Sequence, residues 1–250
     1  IIFICKFLLR ILGGHMKKFI IEEEFWNLFP DAKIGVIVCH GIDNKIKKTD
    51  RYKEIISKAE KKALDHIQNP DFSKNTVIKS WRDAFKKFKT KKGARSSIEA
   101  LLKRVSNENH INTINPLVDI YNSVSLKYAF PCGGEDMDTF SGDIRLTRAV
   151  GDEDFVTLGS DKVSPPYQGE IIYKDDKGAI CRCWNWRESV RTMLTENTTN
   201  AFLCLELIDE DRFEEFKEGL KYLENTIQEN LGGDLTIEIL DINHYKINID

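Results

Sequence analysis

Few segments of this sequence combine residue type and spacing in a way that could do chemistry. Pro131-Cys132-Gly133-Gly134 sets two glycines in succession, where backbone N–H groups stand clear of side chains and can hold a developing oxyanion; a tight turn with no ligand is the other reading. Glu206 follows the strand-like run Ala201-Phe202-Leu203-Cys204-Leu205, and a period of two puts it on one face with Cys204, opposite Leu203 and Leu205. If that face lines a cleft, Glu206 is a general base or an ammonium partner; otherwise it is a solvent-facing edge glutamate. Asp136 either fixes an ammonium or caps a turn. In Trp184-Asn185-Trp186-Arg187, strand alternation sets two polar groups on one face and two indoles on the other. The Arg187 guanidinium suits a phosphate or carboxylate, and the rings suit stacking on an unpaired base; a core tryptophan pair beside a surface arginine is the alternative.

Charge is distributed unevenly. The net charge of −3 argues against a protein that binds polyanions over its whole surface, yet residues 74–104 carry 11 basic against 2 acidic side chains. Lys91, Lys92, Arg95, Lys103 and Arg104 are the candidates there for phosphate contact, against the plainer reading of a solvated helix face. From 205 to 250 the balance reverses to 4 basic and 13 acidic, and the helix at 209–229 is a weak candidate for a protein contact. Six scattered cysteines without a secretion signal read as reduced thiols. Cys181-Arg182-Cys183 is too tightly spaced for a zinc knuckle, and the five histidines form no triad or zinc spacing, so neither a metal nor a cofactor is expected.

The elements that must position these residues change character along the chain. Residues 16–130 read as helix-rich: a short helix at Glu22–Leu28, a buried strand at Ile34–Cys39, a helical stripe over Lys45–Asp65 with Ile46, Ile55, Ile56, Ala59 and Leu64 inward, and an amphipathic helix over Val77–Phe88. Ser96-Ser97-Ile98-Glu99 reads as a capping box whose helix N-terminus attracts anions, and Asn115-Pro116 opens the next helix. Residues 131–208 shift to a period of two, with strands at Asp143–Arg148, a short apolar run at Phe155–Leu158, a hairpin of Gly169–Tyr173 with Ala179–Trp184, and Ala201–Leu205. A helix from Asp209 to Glu229 and a strand at Leu235–Leu240 complete 209–250. The predicted fold class is α+β, with a helical N-terminal layer on a mostly antiparallel or mixed central sheet, in one domain over 16–250.

Residues 1–15 carry a different signal. The apolar opening is twelve residues long and holds Lys6 and Arg10, too short and too charged to cross a membrane. Ile11-Leu12-Gly13-Gly14-His15-Met16 is what results when a purine-rich bacterial ribosome-binding site ahead of a start codon is translated in frame. Met16 is therefore the expected biological start, with 1–15 an upstream extension, and a cytoplasmic location is expected.

Several of these motifs, taken in order, resemble one family. They are Ser97-Ile98-Glu99-Ala100-Leu101-Leu102, Asn115-Pro116 through Asn122, Pro131 through Asp136, Ser141-Gly142-Asp143-Ile144 with Arg148, Gly169-Glu170, and Cys183-Trp184-Asn185-Trp186-Arg187. The succession resembles the freestanding B3/4 domain proteins, similar to the tRNA-binding and editing domain of the phenylalanyl-tRNA synthetase beta subunit, over roughly residues 17–230. The resemblance implies a B3/4-like fold and a trans-editing hydrolase that uses a positioned water to deacylate mischarged aminoacyl-tRNA, its partner. It carries Glu206, Gly133 and Gly134 as catalytic candidates and Asn122, Pro131, Asp136, Asn185, Arg187 and Thr199 as substrate-binding ones. The synthetase pattern has a histidine two residues after the proline where this sequence has Gly133. A module that binds tRNA, RNA or an amino acid without catalysis is therefore the alternative. An activated ester asks mainly for a shaped pocket, a held water and oxyanion donors, which a missing imidazole does not preclude.

Overall fold

The computed structural model describes residues 16–45 and 49–250. The expected upstream extension, with Cys5 and His15, lies outside them, as does Ile46.

In chain order the elements are β1 (Lys18–Ile21), α1 (Glu23–Trp26), β2 (Lys33–His40), α2 (Thr49–Ala63), α3 (Thr76–Phe85), α4 (Ser97–Ser106), α5 (Pro116–Tyr128), β3 (Cys132–Asp136), β4 (Ile144–Arg148), β5 (Ile171–Asp175), β6 (Gly178–Arg182), β7 (Arg187–Glu188), β8 (Asn200–Leu207), α6 (Phe213–Leu231), β9 (Asp234–Leu240) and β10 (Lys246–Asn248). The class is α+β, as predicted, with the sheet divided in two. Six strands run in the order β10-β1-β4-β5-β6-β7 and four in the order β3-β8-β2-β9. Apart from the parallel β1–β4 pair, the named strands pair antiparallel.

Strand alternation decides what each face of the four-stranded sheet meets. Ile37, Cys39, Leu203, Leu205 and Leu207 pack in one cluster with α5 (Leu117, Ile120, Val124) and α6 (Phe216, Leu220, Ile227). Ile34, Val36, Val38, Phe202 and Cys204 point the other way, into a second cluster with Phe19, Ile144, Leu146 and Tyr173 of the larger sheet. Glu206 has the parity of Cys204 and so lies between the sheets. Gly35 lets α6 approach β2, since a Cβ there would stand 2.9 Å from Leu220 Cδ1.

The helix signals hold in detail. Asn115 accepts from the Val118 amide at 3.1 Å ahead of Pro116, which opens α5. Ser96 accepts from the Glu99 amide at 3.3 Å, but the Glu99 carboxylate goes to Arg82 (Nη2 to Oε1, 2.7 Å), tying α4 to α3. Ala129, at φ 52°, ends α5 in the left-handed region and turns the chain into β3.

Other expectations need correction. Leu64 is exposed, because α2 ends at Ala63 and the chain tightens into a 3-10 turn. The helix after Asp209 begins at Phe213, and Asp209 offers it no side-chain cap. Phe155–Leu158 forms no strand, only isolated bridges to Val163 and Ser189. Gly133 and Gly134 belong to β3 and make no turn.

Candidate functional site

Glu206 is 2% exposed. It occupies a central strand, opposite Ile34 on one side, with its amide donating to Pro131 O at 3.0 Å on the other, so the solvent-facing edge reading is excluded. Its carboxyl takes three donors. Tyr173 Oη of β5 and Trp184 Nε1 (2.8 Å) donate to Oε1, and Asn185 Nδ2 donates to Oε2. A carboxylate has about four acceptor sites, which leaves one for a water or a ligand.

Two of those donors arrive by a route the alternation argument did not foresee. Residues 183–186 form the turn between β6 and β7, with Cys183 at φ 47° and Trp184 at φ 62°. The expected division into an indole face and a polar face is therefore corrected: a turn does not alternate, and Trp184 and Asn185 both reach Glu206. Left-handed non-glycine residues cost on the order of 1–3 kcal/mol each and persist where surroundings hold them. Here the fully buried Trp184 ring packs with Phe25 (5.0 Å between centroids), Phe29 (4.6 Å) and Trp81 (5.0 Å), each such contact contributing about 0.5–1.5 kcal/mol beyond burial. Asn185 is fixed from behind, as its Oδ1 accepts from the Ser97 amide (3.1 Å) at the start of α4.

These groups line a cavity of about 60 Å³ together with Ser97, Cys132, Gly133, Gly134, Glu135, Cys181, Glu188, Phe202 and Cys204. That is room for a few waters or a small polar group. Two of the lining residues, Glu135 and Glu188, carry carboxyls that sequence reasoning missed. Glu135 shares the cavity-facing parity of Gly133 on β3. Glu188 is half-buried as a residue but sends its carboxyl inward, with Oε1 3.5 Å from where a Cβ on Gly133 would stand. Glu135 Oε2, the adjoining Thr192 Oγ1 and Ser97 Oγ are buried without a partner of hydrogen-bond geometry.

Burial dominates the electrostatics. It pushes Glu206 up to about 7 despite its three donors and Glu188 up to about 7, and raises Glu135 well above the usual carboxylate range, with the Glu188 charge adding to the effect. For an acid whose folded pKa is raised, the folded state holds its proton longer than the unfolded chain, so stability falls as pH rises from about 4.5 through 7. At about 1.4 kcal/mol per pH unit and proton, Glu188 alone accounts for a loss on the order of 3 kcal/mol. Glu188→Gln is therefore expected to be neutral near pH 4.5 and stabilising at pH 8. Equal melting temperatures for the variant and the parent at pH 8 would refute this.

Of the residues singled out from sequence, Gly133, Gly134, Asn185 and Glu206 come together here, with Pro131 buried beside them. Pro131 and Glu206 form a hydrogen-bonded pair, so two residues on Gly133 N–H turns toward Cys204 of β8 and Gly134 N–H toward the opposite strand edge, both in the sheet plane. Asp136 caps a 3-10 turn at Asp138 (3.0 Å) and accepts from Thr198 Oγ1 (2.6 Å), away from the cavity. Thr199 is exposed and uses its carbonyl to receive the Ile42 amide (2.9 Å). Asn122 sits half-buried on α5 and does not line the cavity. Arg187 is exposed and rests on its neighbour Trp186 (5.2 Å).

The basic candidates do not form one patch. Lys91 bonds Ser164 Oγ (3.2 Å), and Lys92 and Arg95 are exposed on the loop leading to Ser97. Lys103 lies over the Phe72 ring (4.7 Å) and Arg104 bonds His110 O (3.1 Å) toward the far end of α4, about 10 Å along the helix from Ser97. A larger surface groove, about 670 Å³, runs past Asp65, His66, Trp81 and Arg212 and holds none of the candidates. Among the described residues no group of three or more His, Cys, Asp or Glu is placed to hold a metal, and no helix is long and apolar enough to cross a membrane.

The profile of the B3/4 domain family matches residues 80–225. The phenylalanine–tRNA ligase beta subunit of Mycoplasmoides gallisepticum (strain R(low / passage 15 / clone 2)) is 32% identical over 123 residues, which is 49% of this chain and 15% of that subunit. The chain thus spans a small part of the length of this curated relative. The crystal structure of an N-terminal fragment of the phenylalanyl-tRNA synthetase beta subunit from Pyrococcus horikoshii aligns with 89% of this chain and 52% of its own, at 14% identity and a TM-score of 0.46. The match at 80–225 takes in Ser97, Glu135, Tyr173, Trp184, Asn185, Glu188 and Glu206, and on it the chain belongs to the B3/4 domain family.

Proposed function

We propose that this protein hydrolyses the ester of an aminoacylated tRNA, acting in trans on mischarged species. The observation that carries this reading is Glu206, a buried carboxyl held by three donors with one acceptor site left and poised to exchange a proton near neutral pH. A group of that kind positions and deprotonates a water without a nucleophilic side chain. In this reading Ser97 Oγ, buried and unpartnered at the first turn of α4, donates to the developing oxyanion, with Gly134 N–H on the outer edge of β3 as the second candidate donor. The space opposite Gly133, where the synthetase pattern has histidine, holds the Glu188 carboxyl. The similarity to a phenylalanine–tRNA ligase beta subunit supports tRNA as the carrier of the ester.

The test is release of amino acid from a panel of correctly and incorrectly charged tRNAs. Selective release supports the hydrolase; salt-dependent tRNA binding with no release from any member refutes it in favour of the binding module. Lys92 and Arg95, exposed ahead of α4, are the phosphate contacts in this reading. Lys92→Ser with Arg95→Ser is expected to lower the slope of log K against log salt by about 2, and an unchanged slope removes them from the interface.

A further inference from the structure

The cavity holds three carboxyls and no base. Glu135, Glu188 and Glu206 line it, and among the described residues no lysine, arginine or histidine does. Glu206 has its charge met by Tyr173, Trp184 and Asn185. No comparable set of donors serves the other two acids: Glu135, 7% exposed, has the Thr192 hydroxyl beside it, but its Oε2 lacks a partner of hydrogen-bond geometry. The Arg191 charge reaches Glu135, but its guanidinium is already bound through two nitrogens to Asp175 (2.8 and 2.7 Å). Burying an unpaired acceptor of this kind is unfavourable unless a proton or a cation completes it. A compact donor with three N–H bonds fits acids converging from two strands better than a planar guanidinium does, given about 60 Å³ to fill.

We propose that Glu135 and Glu188, facing Glu206 across the cavity, form a subsite for a primary ammonium group. The inference rests on the reading of this cavity as the aminoacyl site, in which the group is the free α-amine of the ester or an amine on its side chain. Its ammonium donates to Glu135 Oε2 and to the Glu188 carboxyl, and Ser97 Oγ stands by as a further acceptor. Glu206 remains free to act on the water. An N-acylated aminoacyl ester lacks the charge and meets two buried acids with an amide.

Proton linkage gives the subsite a signature. The groups facing it are Glu135, Glu188 and Glu206, the thiols Cys132, Cys181 and Cys204, and Tyr173, with Tyr121 behind. Burial raises all of the thiols and both phenols, so they stay neutral through the physiological range. An incoming cation therefore displaces protons from the glutamates, and its affinity rises with pH through about 7, where Glu188 gives up its proton, by at most about tenfold per unit for each proton released.

The experiment is an NMR titration of the full chain, at pH 5.5 to 7.5, with glycinamide, N-acetylglycinamide and Nα-acetyl-lysinamide. Glycinamide binding that tightens with pH, and weakens tenfold or more in Glu135→Gln/Glu188→Gln, supports the subsite with the α-amine as its guest. The same behaviour from Nα-acetyl-lysinamide alone supports it with a side-chain amine. N-acetylglycinamide binding as well as either amine, no amine binding at all, or an unchanged affinity in the double variant overturns it. Loss of buried acids is not expected to unfold the variant, and its melting temperature at pH 7.5 checks this. The two proposals fail separately: glycinamide bound without any ester hydrolysis refutes only the hydrolase, while full-rate cleavage of an N-acetylated aminoacyl-tRNA whose side chain carries no amine refutes only the subsite.

Discussion

Glu206→Ala is expected to lower the rate of aminoacyl-ester hydrolysis by at least about a hundredfold, the lower end of what a positioned acid–base group contributes. With the parent protein, kcat/KM is expected to rise with pH up to about 7 and then level as the carboxylate form is filled. The alanine variant also strands three buried donors, Tyr173 Oη, Trp184 Nε1 and Asn185 Nδ2, at about 1–3 kcal/mol each, so it disturbs the site's structure as well as its chemistry. Glu206→Gln is cleaner. Its carbonyl still accepts from Tyr173 and Trp184, but its amide confronts the Asn185 amide, which cannot flip without losing the Ser97 N–H bond. Adding Asn185→Asp supplies acceptors for both partners and keeps the net charge. The pair of changes is expected to recover stability lost in Glu206→Gln and to leave hydrolysis depressed, because the carboxylate now stands on the turn and not on β8. Hydrolysis at the parental rate in Glu206→Gln would remove Glu206 from the chemistry.

The second large effect is on folding. Arg182 and Glu170 are 2% and 0% exposed by side chain, and they pair through two nitrogens while Arg182 Nη1 donates to Ser164 O (2.8 Å). Removing one partner of such a pair costs about 3–5 kcal/mol, since the other charge stays buried without compensation. At about 2–4 °C per kcal/mol for a chain of this size, Glu170→Ala is expected to lower the melting temperature by roughly 10 °C. A fall under about 3 °C would show the pair to be dispensable. Replacing both partners by Glu170→Leu with Arg182→Met is expected to recover most of the loss, because no charge is then buried. The pair also bears on the site: Arg182 immediately precedes the Cys183-Trp184 turn, whose Trp184 amide donates to Ile171 O next to Glu170. Slackening it loosens the indole that holds Glu206.

Much of the framework was legible because local physics wrote it. Asn115-Pro116 and Ser96–Glu99 announce helix starts through bonds made within four residues, and the alternation of Leu203, Cys204, Leu205 and Glu206 names their faces without a partner strand. What stayed illegible depends on distant segments. β1 and β10 pair Lys18 with Asn248, and no run of 3 or 4 residues advertises such a partner. Gly133-Gly134 read as a turn because its strand identity comes from β8, some 70 residues on. Trp184-Asn185-Trp186-Arg187 read as a strand because two left-handed residues without glycine are too costly to expect locally. They exist because Phe25, Phe29 and Trp81, from far along the chain, hold the indole.

The sequence by itself determined the class of fold, the family, and Glu206 with Asn185 as residues to watch, since capping, periodicity and ordered motifs are properties of neighbours along the chain. Only the tertiary structure decided that Glu135 and Glu188 join them. A carboxyl's charge and reach depend on what surrounds it in space, and strands β3, β7 and β8 meet around that cavity only once the two sheets have packed.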